Sequence, residues 1–86
     1  MTDDVIPAER LRDWMVDYIS SVLGVDKDRV GVSAPFDSYG LDSAEAVIMA
    51  GVMEEEFGKE IDPNLFFDEP SIDGVVRSFE AAGLAA

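Results

Sequence analysis

Gly40-Leu41-Asp42-Ser43-Ala44-Glu45, followed by the apolar run Ala46-Val47-Ile48-Met49-Ala50-Gly51-Val52-Met53 and then by Glu54-Glu55-Glu56-Phe57-Gly58, is the stretch from which the rest of the chain is read. Asp42 is a good N-cap, because a short carboxylate accepts from the free amides of a first turn, and Glu45 stands three residues on in the arrangement of a capping box. A helix is therefore predicted from Asp42 to about Phe57, with Gly58 ending it. Residues 46 to 53 are apolar right round that helix, whereas a surface helix normally keeps a polar face. With Val47, Ala50, Met53 and Phe57 toward the core, Ile48 and Val52 lie one turn apart on another face, beside Ala44, as an exposed docking ridge. The alternative is that the preceding loop or a short following helix covers them.

Upstream, Pro7 sits where helices begin, and Leu11, Trp14, Met15, Tyr18, Ile19, Val22 and Leu23 recur at spacings of three and four, the pattern of one amphipathic helix capped by Gly24. Residues 25 to 41 carry Pro35, two glycines and scattered Asp and Ser, and read as a long loop without secondary structure of its own. Such loops are usually functional, and Val25, Val30, Val32, Phe36, Tyr39 and Leu41 are placed to pin this one to the core. Downstream, Pro63 opens a short helical turn through Phe67, Glu69-Pro70 breaks the chain, and Ser71 caps a last helix whose Ile72, Val75, Val76 and Phe79 keep the helical period up to Gly83. The expectation is an all-α fold, an antiparallel bundle of three main helices plus one short helix with no sheet. It forms a single domain over residues 1–86 with a core from about 7 to 82.

Composition narrows the chemistry. Six Lys or Arg against 19 Asp or Glu give a formal charge of −13, a field that repels phosphate backbones and anionic lipid alike. Neither nucleic acid nor membrane is an expected partner, while a protein with a basic patch is. There is no cysteine and no histidine, which removes disulfides, thiol catalysis, the usual general base and the commonest metal ligand. A thioester handled by this chain needs an imported thiol. The start, Met1-Thr2-Asp3-Asp4, is acidic and without an apolar stretch, unlike a signal peptide or anchor, so a cytoplasmic protein is expected; because the chain begins with Met1 and ends soon after the last helix, it is expected to be freestanding rather than an excised module, and it is expected to be a monomer. Asp26-Lys27-Asp28-Arg29-Val30-Gly31 begins like a calcium loop but puts Val30 where an oxygen ligand belongs and Asp37 where a bidentate Glu belongs, so no metal site is assigned. Glu54-Glu55-Glu56 reads as a solvated face, the alternatives being an enzyme-steering patch and a weak divalent-ion site.

Ser43 is the residue with a chemical use. At the first turn of a helix, directly after its acidic cap, a phosphodiester on its hydroxyl lies by free backbone N–H groups and the positive end of the helix dipole. Gly40 permits a left-handed backbone just before the helix, and Leu41 anchors the turn. Asp-Ser at a helix start is by itself an ordinary cap. In company it is more: Gly40-Leu41-Asp42-Ser43, a helix ending Glu54-Glu55-Glu56-Phe57-Gly58, and Phe66-Phe67-Asp68-Glu69-Pro70-Ser71-Ile72, with Phe67 24 residues beyond Ser43, closely resemble the acyl and peptidyl carrier family from Leu11 to Phe79.

That resemblance implies a bundle fold and a serine, here Ser43, modified from coenzyme A by a phosphopantetheinyl transferase. The 4′-phosphopantetheine thiol then holds acyl groups as thioesters, and the protein delivers them without catalysing anything itself. Gly40, Leu41 and Asp42 are the residues around the attachment point, and Ala44, Glu45, Ile48 and Val52 are the implied docking contacts. The implied partners, besides the transferase, are an acyl-loading enzyme (an adenylating ligase or acyltransferase) and a ketosynthase or other acyl-processing enzyme. Tyr39-Gly40-Leu41-Asp42-Ser43 and Phe67-Asp68-Glu69-Pro70 look more like polyketide and nonribosomal-peptide carriers than like those of primary fatty-acid synthesis. Ala44 stands where the family commonly has Leu, which implies a specialised set of enzymes. The rival readings are an unmodified acidic interaction bundle, a carrier for primary fatty-acid synthesis, and a small enzyme with paired carboxylates. The enzyme is the weakest, since its acids fall at helix ends and in loops.

Overall fold

A computed structural model describes residues 5–86, so the reading of residues 1–4 as neither signal nor anchor lies outside the described residues. Three α-helices carry the fold: α1 (Ala8–Leu23), α2 (Ser43–Phe57) and α3 (Ile72–Ala81). In α1 the stripe Leu11, Met15 and Ile19 is fully buried, while Trp14 and Tyr18 on its flank are half-buried and stack with ring centroids 5.2 Å apart. Pro7 occupies the cap position, and Gly24 takes the left-handed backbone (φ 68°) that lets its N–H close on the Ser20 carbonyl. Arg10 and Trp14, near the start of α1, meet the ring of Phe57 at the end of α2, so the two helices run antiparallel.

Residues 25–41 are not the structureless loop that their composition predicts. They hold two 3₁₀ turns, Lys27–Arg29 and Phe36–Tyr39. Pro35 sets the extended entry to the second (φ −60°, ψ 145°), and the Phe36 carbonyl closes it by accepting from Leu41 N–H at 3.0 Å. The segment packs as expected: Val30, Phe36 and Leu41 are buried, and only Val25 of the predicted pins is exposed. Its polar groups are tied to α3. Phe36 N–H donates to Pro70 O at 2.7 Å, Asp73 N–H to Val32 O at 2.9 Å, and the Asp73 carboxylate takes Arg12 Nε at 3.2 Å and Ser33 Oγ at 3.0 Å.

The short helical turn is a 3₁₀ turn, Pro63–Phe66, opened by Asp62 accepting from Asn64 N–H. It is too short to stand alone and is held by Phe66, which is fully buried against Phe79 of α3. Ser71 Oγ accepts from Gly74 N–H at 3.0 Å, the predicted cap of α3. Gly74 has no room for a side chain, because a Cβ there would overlap the Glu69 backbone. At the far end, Ile6 N–H donates to Leu84 O and Ala86 N–H to Ile6 O, forming one isolated parallel bridge, Ile6↔Ala85. Both bridge residues are buried, so the core extends past the expected limits of 7 and 82. Among the described residues there is no strand beyond this bridge.

Candidate functional site

The turn into α2 is built from the outside in. Gly40 adopts φ 88°, which a residue with a side chain rarely enters, and this reverses the chain after the Phe36–Tyr39 turn. Leu41 drops into the core at 2% exposure, fixing the turn from below. Asp42 is extended; its Oδ1 accepts from Glu45 N–H at 3.0 Å and its carbonyl from Ala46 N–H at 3.1 Å. Ser43 is thereby the first residue of α2, and its amide and that of Ala44 precede the first intrahelical bond. Its side chain is exposed and makes no hydrogen bond among the described residues. An anion at such a helix end is favoured by about 0.3–1 kcal/mol. The hydroxyl is therefore presented to solvent at the helix end.

Beyond Ser43 the structure places Ala44, Ile48 and Val52 in solvent, as the ridge reading requires; Ile48 is 54% exposed and Val52 38%. Neither the loop nor the short turn covers them. Val47 is a correction: it is 46% exposed, and the core face is Ala46, Met49, Ala50 and Met53. The run is apolar on every side, so no polar residue marks which way it turns, and packing of one face into the common core decides it. Glu45 is half-buried and lies near Tyr18, whose hydroxyl pKa is raised by burial first and by the Glu45 charge second.

One acidic expectation changes in detail. Glu54 is not simply solvated, since its Oε2 accepts from Ile61 N–H at 2.7 Å and holds the segment after α2, while Glu55 and Glu56 are exposed. No group of three or more His, Cys, Asp or Glu side chains is placed to hold a metal among the described residues.

Tyr39 is legible in the sequence as a pin to the core, but the state of its hydroxyl is not. Its ring meets Phe36 edge-on at 6.5 Å, and its hydroxyl is buried with no hydrogen-bond partner among the described residues. Burial raises its pKa above the ordinary 10.0. Tyr39→Phe removes an unpaired buried hydroxyl, so stability at pH 7 is expected to stay level or rise by up to about 1 kcal/mol. The wild type holds its tyrosine proton more tightly when folded, so its stability is complete below pH 10 and falls as pH rises through the folded-state value. Urea titrations at neutral and alkaline pH should show a smaller alkaline loss in Tyr39→Phe.

Residues 13–79 match the family described as "Phosphopantetheine attachment site". Over all 86 residues the chain is 30% identical to a segment of a phenolphthiocerol/phthiocerol polyketide synthase from Mycobacterium tuberculosis, and it spans only 4% of that protein's length. It is also 30% identical, over 56 residues, to the acyl carrier protein TtuC of Teredinibacter turnerae, covering 65% of this chain and 64% of that one. The solution structure of Asl1650, an acyl carrier protein from Anabaena sp. PCC 7120 with a variant phosphopantetheinylation-site sequence, superposes with a TM-score of 0.79 at 32% identity, covering 91% of this chain and 89% of the other.

Proposed function

The chain belongs to the phosphopantetheine attachment-site family and is an acyl carrier whose prosthetic group is 4′-phosphopantetheine, and from that premise we propose that Ser43 carries the arm. The observation that supports this most is the state of the serines. Of seven, Ser20, Ser33 and Ser38 donate their hydroxyls to Val25 O, Asp73 Oδ2 and Pro35 O, and Ser71 caps α3. Ser21 and Ser78 lie in the last turns of α1 and α3, away from either helix N-terminus. Ser43 alone combines a free, exposed hydroxyl with a helix N-terminus.

In attachment, Ser43 Oγ forms a bond to the pantetheine-bearing phosphorus of coenzyme A. The pyrophosphate P–O bond breaks, adenosine 3′,5′-bisphosphate leaves, and the serine proton passes to a base on the transferase. The arm supplies the thiol that this cysteine-free chain lacks, for holding acyl groups as thioesters. Gly40 and Leu41 hold Ser43 clear of the fold, and Asp42 keeps the first turn of α2 formed.

On the same reading the whole chain acts as one monomeric carrier domain that performs no chemistry of its own. Its partners are the transferase, an adenylating ligase or acyltransferase that loads it, and a ketosynthase or other acyl-processing enzyme, which touch Ala44, Glu45, Ile48 and Val52. The synthase relative favours polyketide or related specialised acyl synthesis. Among the described residues no helix is long and apolar enough to cross a membrane. Work in the cytoplasm beside such enzymes belongs to the same proposal.

The test is intact-protein mass before and after incubation with coenzyme A, magnesium and a broad-specificity phosphopantetheinyl transferase. A gain of one phosphopantetheine is expected, and fragmentation of the tryptic peptide between Arg29 and Lys59 should put it on Ser43. No gain by a folded, previously unmodified sample, or a gain on Ser33 or Ser38, defeats the assignment.

A further inference from the structure

Gly51 stands in the middle of α2 on its exposed face, and nothing inside the chain calls for a glycine there. Its backbone is helical, its φ is not positive, and among the described residues a Cβ built on it meets no atom beyond its own turn of helix within 4 Å. Glycine in a helix interior is nonetheless markedly less favourable than alanine. Ala44, Val47, Ile48 and Gly51 occupy positions i, i+3, i+4 and i+7 of the helix, and so do Ile48, Gly51, Val52 and Glu55. Each such foursome frames a hole that can take a knob from a facing surface. With no side chain at Gly51 the two holes run together into one hollow, walled by the exposed Val47, Ile48 and Val52.

We propose that this hollow receives a bulky apolar side chain from the enzyme that modifies Ser43, at the centre of a contact whose rim on the enzyme is basic, and that Gly51 is a specificity-determining residue for that enzyme. The proposal rests on Ser43 as the attachment residue. Distance favours this occupant. Gly51 lies eight residues from Ser43, about 12 Å along the helix. A specific contact covers about 800 Å² of each partner, a disc of roughly 16 Å radius. An enzyme whose reacting atoms reach Ser43 Oγ itself therefore covers Gly51, whereas one that reaches a thiol at the far end of an arm need not. Charge favours it too. Asp42, Glu45, Glu55 and Glu56 flank the hollow, α2 contains no Lys or Arg, and a second copy would set acid against acid with −13 on each chain.

The test measures kcat/KM for modification by the transferase with coenzyme A in wild type, Gly51→Ala, Gly51→Leu and the control Val22→Leu, an exposed position on α1. Both Gly51 variants add a helix-favouring residue in open space, so both should fold and melt a few degrees higher than wild type. Gly51→Ala is expected to lower kcat/KM by a few fold and Gly51→Leu by tenfold or more, chiefly through KM, while Val22→Leu leaves it unchanged. A folded Gly51→Leu modified within twofold of wild type overturns the proposal alone; a wild type that is not modified overturns the Ser43 assignment and this inference with it. A dimer in sedimentation that Gly51→Leu dissociates would seat a second copy in the hollow and also overturn it.

Discussion

Ser43→Ala is expected to abolish the gain of phosphopantetheine completely while leaving the fold as it is. Few substitutions separate function from stability so cleanly, and the geometry says why. The Ser43 hydroxyl is exposed and makes no hydrogen bond, so its removal leaves no partner unsatisfied and no cavity. The α2 cap belongs to Asp42, whose carboxylate still accepts from Glu45 N–H. Alanine is also the better helix former, so the stability change should stay within about 0.5 kcal/mol in either direction. The measurement pairs intact mass with a melting curve. An unmodified variant that melts with wild type places the loss in the chemistry of one oxygen, whereas residual modification would mean that another serine carries the arm.

Ser43 is legible in the sequence because its placement depends on local rules. An aspartate cap, a glycine that must go left-handed and a leucine that must be buried act within four residues, and the structure has each of them in that role. Helix ends at Gly24 and Gly58 are legible for the same reason. What the sequence leaves open is set by contacts far along the chain. The apolar run of α2 carries no polar residue to say which side faces water, and so its spacing points Val47 inward although the residue lies outward. The Phe36–Tyr39 turn and the stretch before it are held by bonds to Pro70 and Asp73, more than 30 residues away, which no local pattern announces. The same holds for Glu54, whose carboxylate reaches past its own helix to Ile61, and for the bridge between Ile6 and Ala85.

Phe79→Ala should produce the largest loss of stability of any change considered for this chain. Phe79 is fully buried, and its ring meets that of Phe66, also fully buried, edge-on with centroids 6.0 Å apart. Truncating a buried phenylalanine to alanine typically costs about 3–5 kcal/mol through lost transfer energy and the cavity left behind. A domain of this length has a total stability of roughly 4–13 kcal/mol, so the loss is comparable to the whole at the lower end. A drop in Tm of on the order of 12–40 °C follows from about 4–8 °C per kcal/mol for small domains. The consequence reaches Ser43. The contact of Phe66 with Phe79 holds the Pro63–Phe66 turn against α3, and the segment before Gly40 is anchored to Asp73 of α3 and to Pro70 just before it. Loosening α3 therefore releases the turn that presents the serine, and modification of Phe79→Ala should slow in step with its unfolded fraction and recover on cooling. The same truncation at Phe67, which is 41% exposed, lacks that route and should change both stability and modification little. Thermal melts and modification rates of the two variants, measured side by side, separate burial in the core from aromatic character as the cause.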